Sequence, residues 1–233
     1  MTMDRRALIE AFHFRHACKR FDPTRKIVPE DFEAILEAAR LSPSSFGFEP
    51  WRFLVLQDGN LREALRAVTW GGQGQLPSAS HVVAILARRD MRWDGEYLGR
   101  HMREVKGLDE AAIAARRDRI RSFQQNDFRL LDHHEGLFEW SCRQTYIALA
   151  NMMTAAALLG IDSCPMEGFN RREAEAVLAR HGLIDRKVWG LSVLVAFGYR
   201  VDPAPAKTRW PREAVVQWVG VRDENKSPGQ AAA

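Results

Sequence analysis

Cysteine is scarce in this chain of 233 residues, and long apolar runs are missing. Cys18, Cys142 and Cys164 are odd in number and show no metal-ligand spacing, which argues against a disulfide framework and against a zinc site. No segment approaches the ~18 uncharged apolar residues that a membrane-spanning helix needs. Asp4, Arg5 and Arg6 break any signal-peptide pattern near the start, so the expected compartment is the cytoplasm. An excess of one charge is lacking too. The 34 basic and 30 acidic residues leave +4, which suits an anionic small molecule at least as well as nucleic acid.

Several motifs are absent. The nearest approach to a dinucleotide fingerprint is Gly72-x-Gly74 with Pro77 in the third glycine's place, and proline cannot serve where helix and strand must pack closely. There is neither a Walker-type loop nor a Gly-x-Ser-x-Gly elbow. His133-His134-Glu135 with Glu139 is metal-like in composition, but adjacent histidines on a helix point about 100° apart, and the reading is a solvated polar corner. Arg116, Arg117, Arg119 and Arg121 read as a solvated helix face rather than a nucleic-acid contact. With no nucleophile or proton-transfer pair in view, an enzyme built on this chain needs a cofactor to carry its chemistry.

What is present is the makeup of a globule with a sizeable core, 46% hydrophobic and 27% charged. No repeat or linker divides it, so one domain over residues 1–224 is expected, with a loose polar tail at 225–233. Residues 4–13 read as a helix with Leu8, Ile9 and Phe12 on one stripe. Pro29, Glu30 and Asp31 start a second helix that must stop near Leu41, ahead of Ser42-Pro43. Residues 51–57 and 81–87 have strand composition, and Asn60 is placed to cap a short helix between them. Gly71-Gly72-Gln73-Gly74 reads as a glycine-rich turn. Residues 90–135 are polar, Arg-rich and helical, a peripheral excursion with scattered anchors such as Trp93, Tyr97 and Phe123. A helix at 137–159, apolar over most of its circumference, belongs in a core or against a partner subunit, with Gly160 at its C-terminal cap. A short strand at 161–166, a helix capped by Asn170 and a long strand at 188–199 complete the pattern.

Two basic stretches stand out. Arg15-His16-Ala17-Cys18-Lys19-Arg20-Phe21 places four cationic or potentially cationic side chains within six residues, and Lys207-Thr208-Arg209-Trp210-Pro211 repeats that chemistry. They could converge on one anion or be two unrelated solvated patches. Between them, the small residues, prolines and glycine of Ser42-Pro43-Ser44-Ser45-Phe46-Gly47-Phe48-Glu49-Pro50-Trp51 make a loop able to approach a flat ligand. The order Arg-His-x-x-Lys-x-Phe, Ser-Pro-Ser-Ser, Pro-Trp, then Pro165-Met166-Glu167-Gly168-Phe169 and Lys207-x-Arg209 resembles the FMN-dependent nitroreductase family, on its oxygen-insensitive bacterial side. The resemblance covers about residues 10–215.

That resemblance implies an α+β fold, a mixed and mainly antiparallel sheet flanked by helices, in an intertwined homodimer with FMN at the subunit interface. It implies that Arg15, His16, Lys207 and Arg209 hold the FMN phosphate, with Ala17 beside them, and that Lys19 lies near the pyrimidine end of the ring, where a cation stabilises reduced flavin. Pro43, Ser44, Ser45 and Phe46 would cover the ring from the other subunit. Pro165, Met166, Glu167 and Gly168 would line its opposite side, Glu167 acting through its main chain. The implied activity is ping-pong hydride transfer from NADH or NADPH to flavin and on to nitroaromatics or quinones. Gly72 and Gln75 stand where close family members carry Asn and Lys, and Phe46, Phe48, Phe123 and Phe128 are the substrate-facing candidates. The same fold would also serve other flavin chemistry, such as reductive dehalogenation or flavin fragmentation, or non-catalytic FMN binding.

Overall fold

Alternation along the apolar strands sets the architecture. The computed structural model describes residues 4–220. β1 (Trp51–Val55), β2 (His81–Arg88), β3 (Asp162–Met166) and β4 (Trp189–Gly198) form one sheet in the order β1-β2-β4-β3. All three strand pairs are antiparallel; a parallel bridge joins Ala17 to Ser163. Pro165 can sit in β3 because that strand is an edge, where a missing N–H costs no ladder bond. β2 and β4 lie inside and are buried on both faces.

Around the sheet run α1 (Arg5–Phe14), α2 (Pro29–Arg40), α3 (Gly59–Arg66), α4 (Gln75–Ser78), α5 (Glu96–Glu104), α6 (Glu110–Ser122), α7 (Gly136–Leu158), α8 (Arg171–Arg180) and α9 (Arg212–Val215). On one face Phe32 and Ile35 of α2 and Ala148, Leu149 and Met152 of α7 pack on Val83, Ile85, Val193 and Val195. On the other, Leu61 and Leu65 of α3, Leu76 of α4 and Leu178 of α8 pack on Val82, Ala84, Leu86 and Leu194. The alternation slips once. Ile85 faces Val193 but Leu86 faces Leu191, leaving Ser192 as an unopposed bulge residue. Leu191 and Leu194 therefore share a face. No helix among the described residues is long and apolar enough to cross a membrane.

Local signals placed most ends well. Asn170 caps α8 by accepting from Glu173 N. Gly160, at φ +71°, follows α7, and Ile161 N donates back to Ala156 O. The short helix after β1 is capped two residues earlier than expected, by Asp58 rather than Asn60, its carboxylate accepting from Leu61 N at 2.7 Å. The glycine-rich turn is instead a helical turn, Trp70–Gly72, running into α4. The α1 stripe is turned outward, with Ile9 and Phe12 exposed and only Ala11 buried. Residues 90–135 are better anchored than scattered aromatics suggest: Met91, Leu98, Met102, Ile113, Ile120 and Leu130 close on Phe48 and Trp140 as a separate cluster. The expected tail at 225–233 lies outside the described residues.

His81 generates a pH prediction. Its ring stacks on Phe32 at 3.8 Å, and burial, then the charges of Arg62 and Lys26, push its pKa down to about 4. Between pH 6.5 and 4 the unfolded chain binds a proton that the folded chain refuses, so stability falls as pH falls through that window. The loss is on the order of 1–3 kcal/mol after discounting for partial exposure. His81→Gln is expected to flatten the slope of Tm against pH in this range; an unchanged slope would show that the histidine is not the group responsible.

Candidate functional site

Four segments distant in sequence meet at one end of the sheet. The chain leaving α1 runs alongside β3: Cys18 N donates to Ser163 O at 3.2 Å, next to the Ala17–Ser163 bridge. It continues past α4, where Phe21 N donates to Ser78 Oγ. Lys207, from the loop beyond β4, donates its Nζ to Arg15 O. Gln75 Nε2 reaches Cys164 Sγ at 3.4 Å. Arg15, His16, Ala17, Lys19, Gln75, Pro165 and Lys207 are thereby brought together, and Gly72 is buried against Met166.

The glycines here serve close approach. Gly71 N donates to Gly168 O at 2.7 Å, and a Cβ on Gly168 would lie 2.9 Å from Gly71 Cα. Gly74 is constrained in the same way, since its Cβ would stand 2.5 Å from the Lys19 carbonyl oxygen. Beyond Gly168 the Trp70 indole is largely exposed. Glu167 projects outward, and its Oε1 accepts from Tyr146 OH at 2.6 Å. Burial first, then that bond, raises the Tyr146 pKa.

Charge is the dominant physical fact of this region. Among the described residues Arg15, Lys19, Lys207 and Arg209 have no carboxylate within ion-pair reach, whereas neighbouring Arg20 is paired with Asp202 and Arg200 with Asp162. The price of this crowding shows in two groups: Lys207 is lowered by burial and then by Arg15, and His16 by burial and then by Arg200. The buried His16 Nδ1 has no hydrogen-bond partner and lies 3.5 Å from Asp162 Oδ1. Burial pushes the Cys18 thiol up to about 11 and raises Cys164 as well. Both stay protonated at neutral pH and neither is a nucleophile. The chemistry on offer is anion binding beside a surface of exposed backbone.

A second group lies apart. Ser45 N donates to Gln144 Oε1 of α7 at 2.9 Å, and Asn151 of α7 donates to Ser42 Oγ. Phe46, at φ +57°, stands edge-on to Phe123 at 5.1 Å, and Phe123 contacts Phe128 at 4.5 Å. Ser45 and Phe46 thus contact α7, Phe48 and Phe123, while Ser44 bonds within its own loop, its Oγ accepting from Glu49 N. Phe48 corrects the sequence reading: it is 0% exposed within the peripheral cluster and presents no face to a ligand in the protomer. His134 is exposed, while Glu135 and Glu139 are taken up by Arg89 and Arg171. Sequence reasoning missed Asp162, Arg200, Gln144 and Tyr146, isolated polar residues in apolar elements or at their ends.

A profile of the nitroreductase family matches residues 13–199. A Staphylococcus aureus protein provisionally named an NAD(P)H nitroreductase is 49% identical over 224 residues, covering 96% of this chain and all of the relative. The Bacillus subtilis protein YfkO, with the same provisional name, is 50% identical over 215 residues, covering 91% of this chain and 97% of its own. Among solved structures, a provisionally named nitroreductase from Exiguobacterium sibiricum in complex with FMN superposes with a TM-score of 0.70 at 20% identity, covering 94% of this chain and 99% of that one.

The Gly71–Gly168 crossing leaves no room for a side chain. Gly168→Ala is expected to cost about 1–3 kcal/mol by overpacking, read from the midpoint of urea unfolding. Gly59→Ala, where a Cβ meets nothing within 4 Å, is the control and should be neutral or stabilising. Equal midpoints for the two variants would mean that the backbones have room to separate.

Proposed function

The chain belongs to the nitroreductase family, and on that premise we propose that it is an FMN-dependent NAD(P)H oxidoreductase. It takes hydride from NADH or NADPH and passes it, by a ping-pong sequence, to nitroaromatics, quinones or related electron-poor acceptors. It works in the cytoplasm as a homodimer of single-domain subunits. The observation that carries this reading is the set of unneutralised cations beside a backbone crossing. A phosphate dianion is the ligand such a set accommodates best, since Arg presents a planar fork of donors and Lys a mobile charge. The His16 ring lies beside these cations, its buried Nδ1 turned to within 3.5 Å of Asp162 Oδ1.

The residues present fit FMN. Arg15, His16, Lys207 and Arg209 would hold its phosphate, with Ala17 small enough to stand beside them. Lys19 would lie along the ring edge, where Gly72 and Gln75 bring no charge. Pro165, Met166, Glu167 and Gly168 would line one face, Gly168 contributing bare backbone. Bound FMN supplies the two-electron redox chemistry; the chain supplies the rest. Its cations neutralise the phosphate and favour added negative charge near Lys19. The Tyr146 hydroxyl holds the Glu167 side chain to one side, and an open cleft lets donor and acceptor use the same face in turn. Pro43, Ser44, Ser45 and Phe46 would serve the cofactor site of a second copy, with Phe123 and Phe128 at the substrate end. Ile9 and Phe12 of α1 and Tyr146 and Ile147 of α7, exposed in the protomer, would be covered in that dimer.

Replacing a cation that holds phosphate should loosen the cofactor. Arg15→Ala and Lys207→Ala are each expected to weaken FMN binding roughly ten- to a hundredfold, the worth of a charge-assisted hydrogen bond. Flavin content after gel filtration is the readout, with Arg20→Ala, a residue paired elsewhere, as the control that retains its flavin. Unchanged flavin content in both variants would remove the phosphate assignment.

A further inference from the structure

Beneath the free cations lies an anion. The Asp162 carboxylate is 97% buried, since its side chain is only 3% exposed. Burying a carboxylate costs several kcal/mol unless partners repay it. Here Oδ1 lies 2.6 Å from Arg200 Nη2, Oδ2 accepts from Arg200 N at 2.9 Å, and His16 Nδ1 is 3.5 Å away. Arg200 makes further use of its guanidinium. Nη2, paired with Asp162 Oδ1 by charge without a hydrogen bond, donates to Phe14 O at the last residue of α1, and the group lies 4.2 Å over the Phe14 ring. Phe21 bridges Arg200 along the main chain. Asp162, at the start of β3, and Arg200, just beyond β4, thus grip the chain on both sides of Arg15 and His16.

For stability alone, two apolar residues of similar volume would often do as well as a buried ion pair. For binding an anion, a buried carboxylate at this place is by itself a liability, because it opposes the field of the cations. We propose that Asp162 and Arg200 are positioning residues: the pair fixes the end of α1 so that Arg15 and His16 point at the cofactor's phosphate. The inference rests on the FMN reading above and goes beyond it by assigning two residues that touch sheet and helix rather than ligand.

The two possible effects of Asp162 have opposite signs, so one variant separates them. Asp162→Asn keeps the shape and an acceptor oxygen but removes the charge. If the carboxylate mattered only through its field, its loss would strengthen phosphate binding. If it positions the cations, its loss leaves Arg200 without an anchor and weakens phosphate binding. The measurement is the dissociation constant of the full chain, stripped of flavin, for FMN and for riboflavin, followed by flavin fluorescence. Riboflavin lacks the phosphate and reports everything else. The expected result is that FMN affinity falls by about tenfold or more while riboflavin affinity stays within about threefold, the scale on which loss of a supporting contact misplaces a binding group. An FMN-to-riboflavin ratio that is unchanged or larger in Asp162→Asn overturns the proposal. Should that variant fail to fold, Arg200→Gln breaks the same pair from its more exposed side, and the same ratio decides. A wild-type chain that binds FMN no better than riboflavin would instead remove the phosphate reading itself.

Discussion

The antiparallel sheet brings the start of β3 and the exit of β4 side by side, and the buried Asp162–Arg200 ion pair spans that juxtaposition. Asp162 and Arg200 stand at those two points, and Phe14, His16 and Phe21 are all tied to them. The chain between α1 and α2 is also held by the buried Cys18, Phe21 and Ile27 and by Phe21 N and Ile27 N on Ser78 Oγ and Ser80 Oγ, and this tie adds an anchor at its start. With it, Arg15 and His16 lie at a fixed height over the sheet, within reach of Lys207 from the opposite end of the sequence. The cation cluster is thus a consequence of sheet topology as much as of basic composition.

The same economy governs the other wall. Gly71 and Gly168 touch main chain to main chain, and Lys19 presses its carbonyl on Gly74. This close approach leaves bare backbone where a flat ring could lie, and it joins the helical turn before α4 to the end of β3. Across the molecule, Phe46, Gly47 and Glu49 all have positive φ. For Phe46 and Glu49 such backbone is costly, and it is held by Gln144, by Ser44 Oγ on Glu49 N, and by the Tyr97 hydroxyl on Phe48 O. A loop so constrained presents Phe46 in one pose, supported by a fully buried Phe48.

Elements whose signal is local could be read from the sequence. The apolar runs of β2 and β4, Pro29 at the start of α2, Asn170 before α8 and Gly160 after α7 are local signals, and the structure places them as expected. The choice of Asp58 over Asn60 turned on where the chain bends into α3, which two nearby Asx residues cannot announce. The basic stretches were visible as composition, which left open whether they converge; only the resemblance implied it, and the fold brings Lys207 Nζ onto Arg15 O. Asp162 and Arg200 left no trace: each is one polar residue at a strand end, without periodicity or motif. The burial of Phe48 could not be read locally either, because the peripheral helices that close over it lie far along the chain.

The central claim is that this cleft holds a flavin and accepts electrons from a nicotinamide. Its most direct test is the visible absorption spectrum of the purified protein, followed by anaerobic addition of NADH and then NADPH. The expected result is a flavin spectrum that bleaches on addition of at least one of the two nucleotides. A protein that is colourless, and stays colourless after incubation with FMN, would contradict the account at its root; a flavin spectrum that neither nucleotide bleaches would contradict the proposed reaction while leaving the binding site in place.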